Sequence, residues 1–210
     1  MEAGSIVLAI VIGYLLGSIP FAYIAGRLVK GVDIRKVGGG NMGALNAIRE
    51  IGPFAGFTVF FFDIAKGSLA VLVAQWLGLD WPWVFVAGFA AVAGHNWPVW
   101  LKFKGGQGLA TTMGVLIPLA PIEFAISFGV IMIVIIITSN ARLSSAVGLA
   151  LLPLFIWLFG GELALIIYSL ALPIFCILKS MTRLKSDLAK SGVKGNFIFD
   201  RQYKPWQSKK

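Results

Sequence analysis

Two glycine-rich runs, each beside a cation and amide side chains, are the residues in this chain best suited to chemistry. The first reads Gly38-Gly39-Gly40-Asn41-Met42-Gly43-Ala44-Leu45-Asn46-Ala47-Ile48-Arg49, and the second Lys104-Gly105-Gly106-Gln107-Gly108-Leu109-Ala110-Thr111-Thr112. Glycine lets successive backbone N–H groups converge on one point, and a helix starting just after such a run adds its positive end. With Arg49 on one loop and Lys104 on the other, the pair suits two anionic groups, most simply two phosphates. Neither run is a nucleotide fingerprint. The first contains G-x-G-x-x-G but follows an apolar span rather than a strand, and the second lacks the closing G-K-[ST]. Glycine also serves turns and close helix packing, a reading that needs no ligand.

Asp63 and Lys66 lie three residues apart on one face of an otherwise apolar segment. A charge in mid-span costs on the order of 3 kcal/mol, so such residues pair with each other or face a polar cavity. Both readings stay open here. His95, the only histidine, precedes Asn96-Trp97-Pro98 at the end of a span, where it is either a proton-transfer group or a hydrogen-bonded structural residue. With one histidine and one cysteine, Cys176, a disulfide and a His/Cys metal cluster are excluded, and no metal or other cofactor is expected.

The elements that must position these residues are membrane helices. Hydrophobic residues make up 58% of the chain and the mean hydropathy is +0.87, which leaves no polar surface for a soluble domain. The 18 lysines and arginines give a net charge of +9 but cluster in short loops and one tail, which suits anionic lipid rather than nucleic acid. Turns on the other side, around Asp80, Glu123 and Glu162, carry no basic residue. Basic loops stay cytoplasmic, so the N-terminus is expected outside and the C-terminus inside. Hydropathy predicts an all-α integral membrane protein of about seven transmembrane helices, over 5–28, 53–77, 81–101, 109–120, 122–138, 144–159 and 162–178. Five spans is the competing count, with Pro118 and Pro121 kinking one long hairpin. Residues 1–180 form a polytopic membrane domain and 181–210 a basic cytoplasmic tail, with Met181, Leu184 and Leu188 on one helical face against the inner surface. The glycine loops are expected on the cytoplasmic face of the membrane.

In order along the chain, Gly-Asn-x-Gly-Ala-x-Asn-x-x-Arg (Gly40 to Arg49), Asp-x-x-Lys-Gly (Asp63 to Gly67), Gly-His-x-x-Pro and Phe-Lys-Gly-Gly-x-Gly-x-Ala-Thr (Gly94 to Thr111) resemble the bacterial acyl-phosphate:glycerol-3-phosphate acyltransferases, the PlsY family. The resemblance covers residues 5–140. It implies an integral membrane enzyme of phospholipid synthesis that uses no metal and no acyl-CoA. Such an enzyme moves a fatty acyl group from acyl phosphate to glycerol 3-phosphate, giving lysophosphatidic acid and phosphate. The partners implied are those two substrates and membrane lipid. Lys104, Arg49 and His95 become the candidate catalytic residues. Gly40, Asn41, Gly43, Asn46, Lys66, Gly105, Gly106, Gln107, Gly108, Thr111 and Arg142 become candidates for substrate binding. Lys104 and the Gly105 to Gly108 amides would hold one phosphate, and Asn41, Asn46 and Arg49 the other. Which loop takes which substrate stays open.

The chain departs from the family pattern at polar positions. Gly39 stands for a serine, Leu45 for a threonine and Gln107 for a lysine, Arg142 is a new cation, and the closing His-Arg-x-Asn element has no counterpart. An acyltransferase, with Arg142 replacing the charge lost at Gln107, fits these departures. So does a non-catalytic paralogue that binds a phosphorylated lipid or modulates a true enzyme. A transporter working through Asp63 and Lys66 is the third reading.

Overall fold

The computed structural model describes residues 3–191, with side chains described to 181. Among them every regular element is helical. In chain order these are α1 (Ala3–Ser18), α2 (Phe21–Lys30), α3 (Ala44–Glu50), α4 (Pro53–Trp76), α5 (Trp81–Asn96), α6 (Leu109–Leu119), α7 (Pro121–Thr138), α8 (Ala141–Leu158) and α9 (Leu163–Ser191), with short 3₁₀ turns at Ile34–Lys36 and Val99–Leu101. Six segments, from Ala3–Lys30 to Leu163–Met181, are long and apolar enough to cross a bilayer, and α6 is a shorter apolar helix. The expected all-α integral membrane architecture is what the chain forms.

Two expected helices are broken. The first does not run unbroken over 5–28, because Pro20 has no N–H to give the ladder and disfavours helical backbone at Ile19; α1 stops at Ser18 and α2 starts at Phe21. The third ends at Asn96 for the same reason, with Trp97, at φ −134° and ψ 66°, outside the helical region before Pro98. The hairpin of 109–138 is two helices, divided at Ala120, whose φ of −145° and ψ of 66° fit neither. Pro118 nevertheless stays inside α6. The carbonyl that its missing N–H would leave orphaned, that of Gly114, accepts instead from Ser68 Oγ of α4 at 2.7 Å. α9 continues through 181, so the proposed tail begins within a helix. The amphipathic face expected there lies, beyond Met181, outside the described side chains.

Small residues set the helix spacing around the site. α1 crosses α5 so closely that a methyl on Gly13 would stand 2.6 Å from the Ala87 carbonyl oxygen, and Gly17 and Gly94 meet the Ala91 and Tyr14 carbonyls in the same way. Gly67 of α4 and Gly114 of α6 make the equivalent approach to Thr111 and Ile64. Lipid offers no hydrophobic force between helices, so this close backbone contact carries much of the association. Its effect is to bring α4, α5 and the α1–α2 break together around Asp63, Lys66 and His95.

Candidate active site

The first glycine loop is folded around one amide. Asn46, buried at the start of α3, reaches back with Nδ2 to the carbonyls of Ile34, Val37 and Asn41 at 3.2, 3.2 and 3.0 Å, and its Oδ1 accepts from the Gly39 N–H at 3.1 Å. Gly38 and Gly40 supply the positive φ values, 55° and 63°, that the tight path needs. A methyl on Gly38 would lie 2.5 Å from Asn46 Oδ1. Asn46 thus shapes the loop, and as placed its two amide hydrogens are shared among carbonyls. Arg49 stands exposed on the last turn of α3. At the loop's root Arg35 grips Asp33 through Nε and Nη2, at 2.9 and 2.7 Å. That hydrogen-bonded fork lowers the carboxyl of Asp33 to about 2.

The second loop is pressed onto the end of α5. The Gly106 N–H donates to the His95 carbonyl at 3.1 Å. Side chains have no room here. A methyl on Gly105 would strike the His95 carbonyl, one on Gly106 the His95 Nε2, and one on Gly108 would stand 2.8 Å from Asn96 Oδ1. Gly108, with φ of 83°, opens α6 without a side-chain cap, so the first N–H groups of that helix point toward the loop without intrahelical partners. Lys104 is exposed beside the cradle and Gln107 is half-buried. Thr111 and Asn96, just beneath, are fully buried with side-chain polar atoms that have no hydrogen-bond partner among the described residues.

The two loops meet at one end of the bundle. Arg35 Nη1, at the root of the first, reaches the Leu101 carbonyl, just before the second, at 3.5 Å, and Met42 and Pro98 line one narrow cleft. Its floor is charged. Asp63, Lys66 and His95 are 2%, 3% and 6% exposed. Lys66 Nζ lies 2.7 Å from Asp63 Oδ1 in an ion pair, and donates to the Ile19 carbonyl at 3.0 Å. His95 Nδ1 is 3.5 Å from the same Asp63 oxygen. Of the sequence candidates, Lys66 is therefore engaged in pairing, His95 lies under the second loop, and Arg142 is exposed on the first turn of α8, a helix that packs on α7 and α9. Asp63 and the Ile19 carbonyl complete the cluster. The mid-span charge signalled the first; only the break at Pro20 explains the second.

Residues 7–190 match the family model described as glycerol-3-phosphate acyltransferase. The chain is 39% identical over 204 residues to glycerol-3-phosphate acyltransferase 1 of Dehalococcoides mccartyi, covering 94% of this chain and 98% of that one. It is 44% identical over 184 residues to the glycerol-3-phosphate acyltransferase of Parasynechococcus marenigrum, covering 87% and 86%. Among solved structures it resembles the crystal structure of PlsY, an integral membrane glycerol 3-phosphate acyltransferase, in its glycerol 3-phosphate form, with a TM-score of 0.80 at 33% identity over 89% of this chain and 93% of that one. The lysophosphatidic acid form of PlsY matches at a TM-score of 0.78 and 32% identity.

Proposed function

The chain belongs to the glycerol-3-phosphate acyltransferase family, and from that premise we propose that it acylates glycerol 3-phosphate with acyl phosphate, holding one phosphate at each glycine loop. Its activity is that of a membrane acyltransferase of phospholipid synthesis; the comparisons favour this over the non-catalytic binder and the transporter. The observation that supports the two-phosphate reading is that both glycine loops lie at one end of the bundle, linked by Arg35 and the Leu101 carbonyl, each with a neighbouring exposed cation.

An acyl phosphate is already activated, so no covalent enzyme intermediate is required. The first hydroxyl oxygen of glycerol 3-phosphate attacks the acyl carbonyl, the bond from the carbonyl carbon to the phosphate oxygen breaks with its electron pair leaving on phosphate, and the hydroxyl proton passes to that phosphate. The protein's part is to hold the reactants within near-attack distance and to stabilise the oxyanion and leaving group. Lys104, Gln107 and the Gly105, Gln107 and Gly108 amides, with the start of α6 and Thr111, take one phosphate, while the Gly106 N–H stays with the His95 carbonyl. Gly40, Asn41, Gly43 and Arg49 take the other in the frame that Asn46 sets. Arg142 supplies positive charge from the first turn of α8. His95 and Lys66 lie beneath and act through the loops.

The loops face the cytoplasm of a bacterial plasma membrane in this reading, with the N-terminus outside and seven crossings. At 11 residues α6 is about 16 Å long, against a hydrocarbon core of about 30 Å. It is nevertheless counted as a crossing, because without it Arg142 would fall on the side of Asp80, and Glu162 on the side of Lys104, against the segregation of basic residues. Its residues Thr111 to Leu116 are buried in protein rather than in lipid, where a short element is tolerated. The test is to supply purified protein in vesicles with labelled glycerol 3-phosphate and either acyl phosphate or acyl-CoA. Lysophosphatidic acid with one phosphate released per turnover is expected from acyl phosphate alone; product from acyl-CoA alone overturns the donor assignment.

A further inference from the structure

Asp63 is absent from the phosphate-facing set, yet contacts run from it toward both loops. Through Oδ1 it holds Lys66 Nζ at 2.7 Å, and Lys66 donates to the Ile19 carbonyl at the α1–α2 break, which lines the same cleft as Met42 of the first loop. The same oxygen lies 3.5 Å from His95 Nδ1. His95 then meets Gly106 twice, through its carbonyl, which accepts the Gly106 N–H at 3.1 Å, and through its ring, which fills the space a Gly106 methyl would take. The orientation of the imidazole thus sets what packs against Gly106. The carboxylate is the one acceptor among these contacts that meets both side chains.

We propose that Asp63 is a positioning residue for acyl transfer, fixing the His95 ring under the Gly105 to Gly108 loop while Lys66 fixes the break in the first helix. It touches neither phosphate. The inference rests on reading that loop as a phosphate cradle. A buried pair can also exist only to cancel two charges inside the bilayer, and that alternative makes a different prediction. If cancellation is all it does, replacing both partners with apolar residues of similar size leaves the site intact. If Asp63 positions the loop, the charges can go without loss of fold, but the loop shifts and turnover falls.

The experiment compares wild type, Asp63→Asn and the double variant Asp63→Leu/Lys66→Met in vesicles, reading the unfolding temperature, kcat, and KM for each substrate. Loop position is read without turnover, by the maleimide labelling rate of Gln107→Cys in a Cys176→Ser background, made in each context. The expected result for the folded double variant is a kcat at least tenfold below wild type, KM for glycerol 3-phosphate changed less than threefold, and a labelling rate changed at least threefold. Asp63→Asn/His95→Gln should lose no more kcat than the worse single variant, because both act through one contact. A folded double variant with wild-type kcat and labelling overturns the proposal. Should the double variant not fold, Asp63→Asn is judged by the same two readouts, and wild-type values there overturn it equally. Absence of product from acyl phosphate in wild type counts against the donor assignment instead, and the labelling arm still decides whether Asp63 governs the loop.

Discussion

Adding one methyl group at Gly106 tests whether the second loop works by close contact with His95. In Gly106→Ala the new carbon falls on the His95 Nε2, with ring atoms Cδ2 and Cε1 each 3.0 Å away. Either the imidazole swings away from Asp63, or the loop lifts and lengthens the 3.1 Å bond from the Gly106 N–H to the His95 carbonyl. Overpacking of this kind costs about 1–3 kcal/mol, and a weakened backbone hydrogen bond about 1 kcal/mol. The larger effect should be on rate, since a displacement of about 1 Å at a reacting centre costs on the order of a hundredfold. Gly129→Ala on α7 is the control, because a methyl there meets nothing within 4 Å. Radiolabelled lysophosphatidic acid formation should fall roughly thirtyfold to a hundredfold in Gly106→Ala, with the unfolding temperature lowered by about 2–4 °C per kcal/mol lost. Gly129→Ala should match wild type in rate. A Gly106→Ala protein with wild-type kcat/KM and stability would refute the reasoning.

Other consequences follow the same logic. Lys104→Ala should lower kcat/KM roughly tenfold to a hundredfold, the equivalent of about 1.5–3 kcal/mol for a charge-assisted bond to phosphate, whereas Lys102→Ala, outside the cradle, should do much less; equal effects would mean that general positive charge is responsible. The Asp33 carboxyl is held at about 2 by Arg35, below the unfolded value of about 3.9, so its contribution is complete above about pH 4 and fades as the pH falls toward about 2. Thermal melts of Asp33→Asn should therefore lie below wild type by on the order of 1–2 kcal/mol at neutral pH, allowing for the partly exposed arginine, and converge with it near pH 2; a gap that persists there would contradict the assignment. Single cysteines at Asp80, Glu123 and Glu162 in a Cys176→Ser background should react with an impermeant reagent from outside while one at Lys36 does not. Labelling at Lys36 would invert the topology, and failure at Glu123 alone would favour five spans.

The positions of the loops and the number of apolar segments were readable because glycine runs, charges and hydropathy are local properties of the chain. What the residues do inside the loops was not. Asn46 has the composition of a phosphate ligand, yet its amide is spent on carbonyls as far away as Ile34, twelve positions back, and only the folded loop brings those together. Hydropathy also passes over backbone. The apolar run of 5–28 conceals a break at Pro20, and that break presents the carbonyl to which Lys66 bonds. Pro118 misleads in the opposite direction, since Ser68 of another helix satisfies the group it frees and α6 continues through it. Asp63 could be recognised as a buried charge from its neighbours in sequence, but its second partner, His95, comes from a helix more than thirty residues away.

The claim on which the rest depends is that each glycine loop holds one phosphate. A structure of the protein with glycerol 3-phosphate and a non-hydrolysable acyl phosphonate tests it most directly. One phosphorus group is expected within hydrogen-bonding reach of Lys104 and the Gly105, Gln107 and Gly108 amides, the other against the Gly38 to Gly43 loop near Arg49, and the glycerol hydroxyl facing the acyl carbonyl between them. Both anionic groups at a single loop, or either substrate bound away from the cleft between Met42 and Pro98, would contradict it.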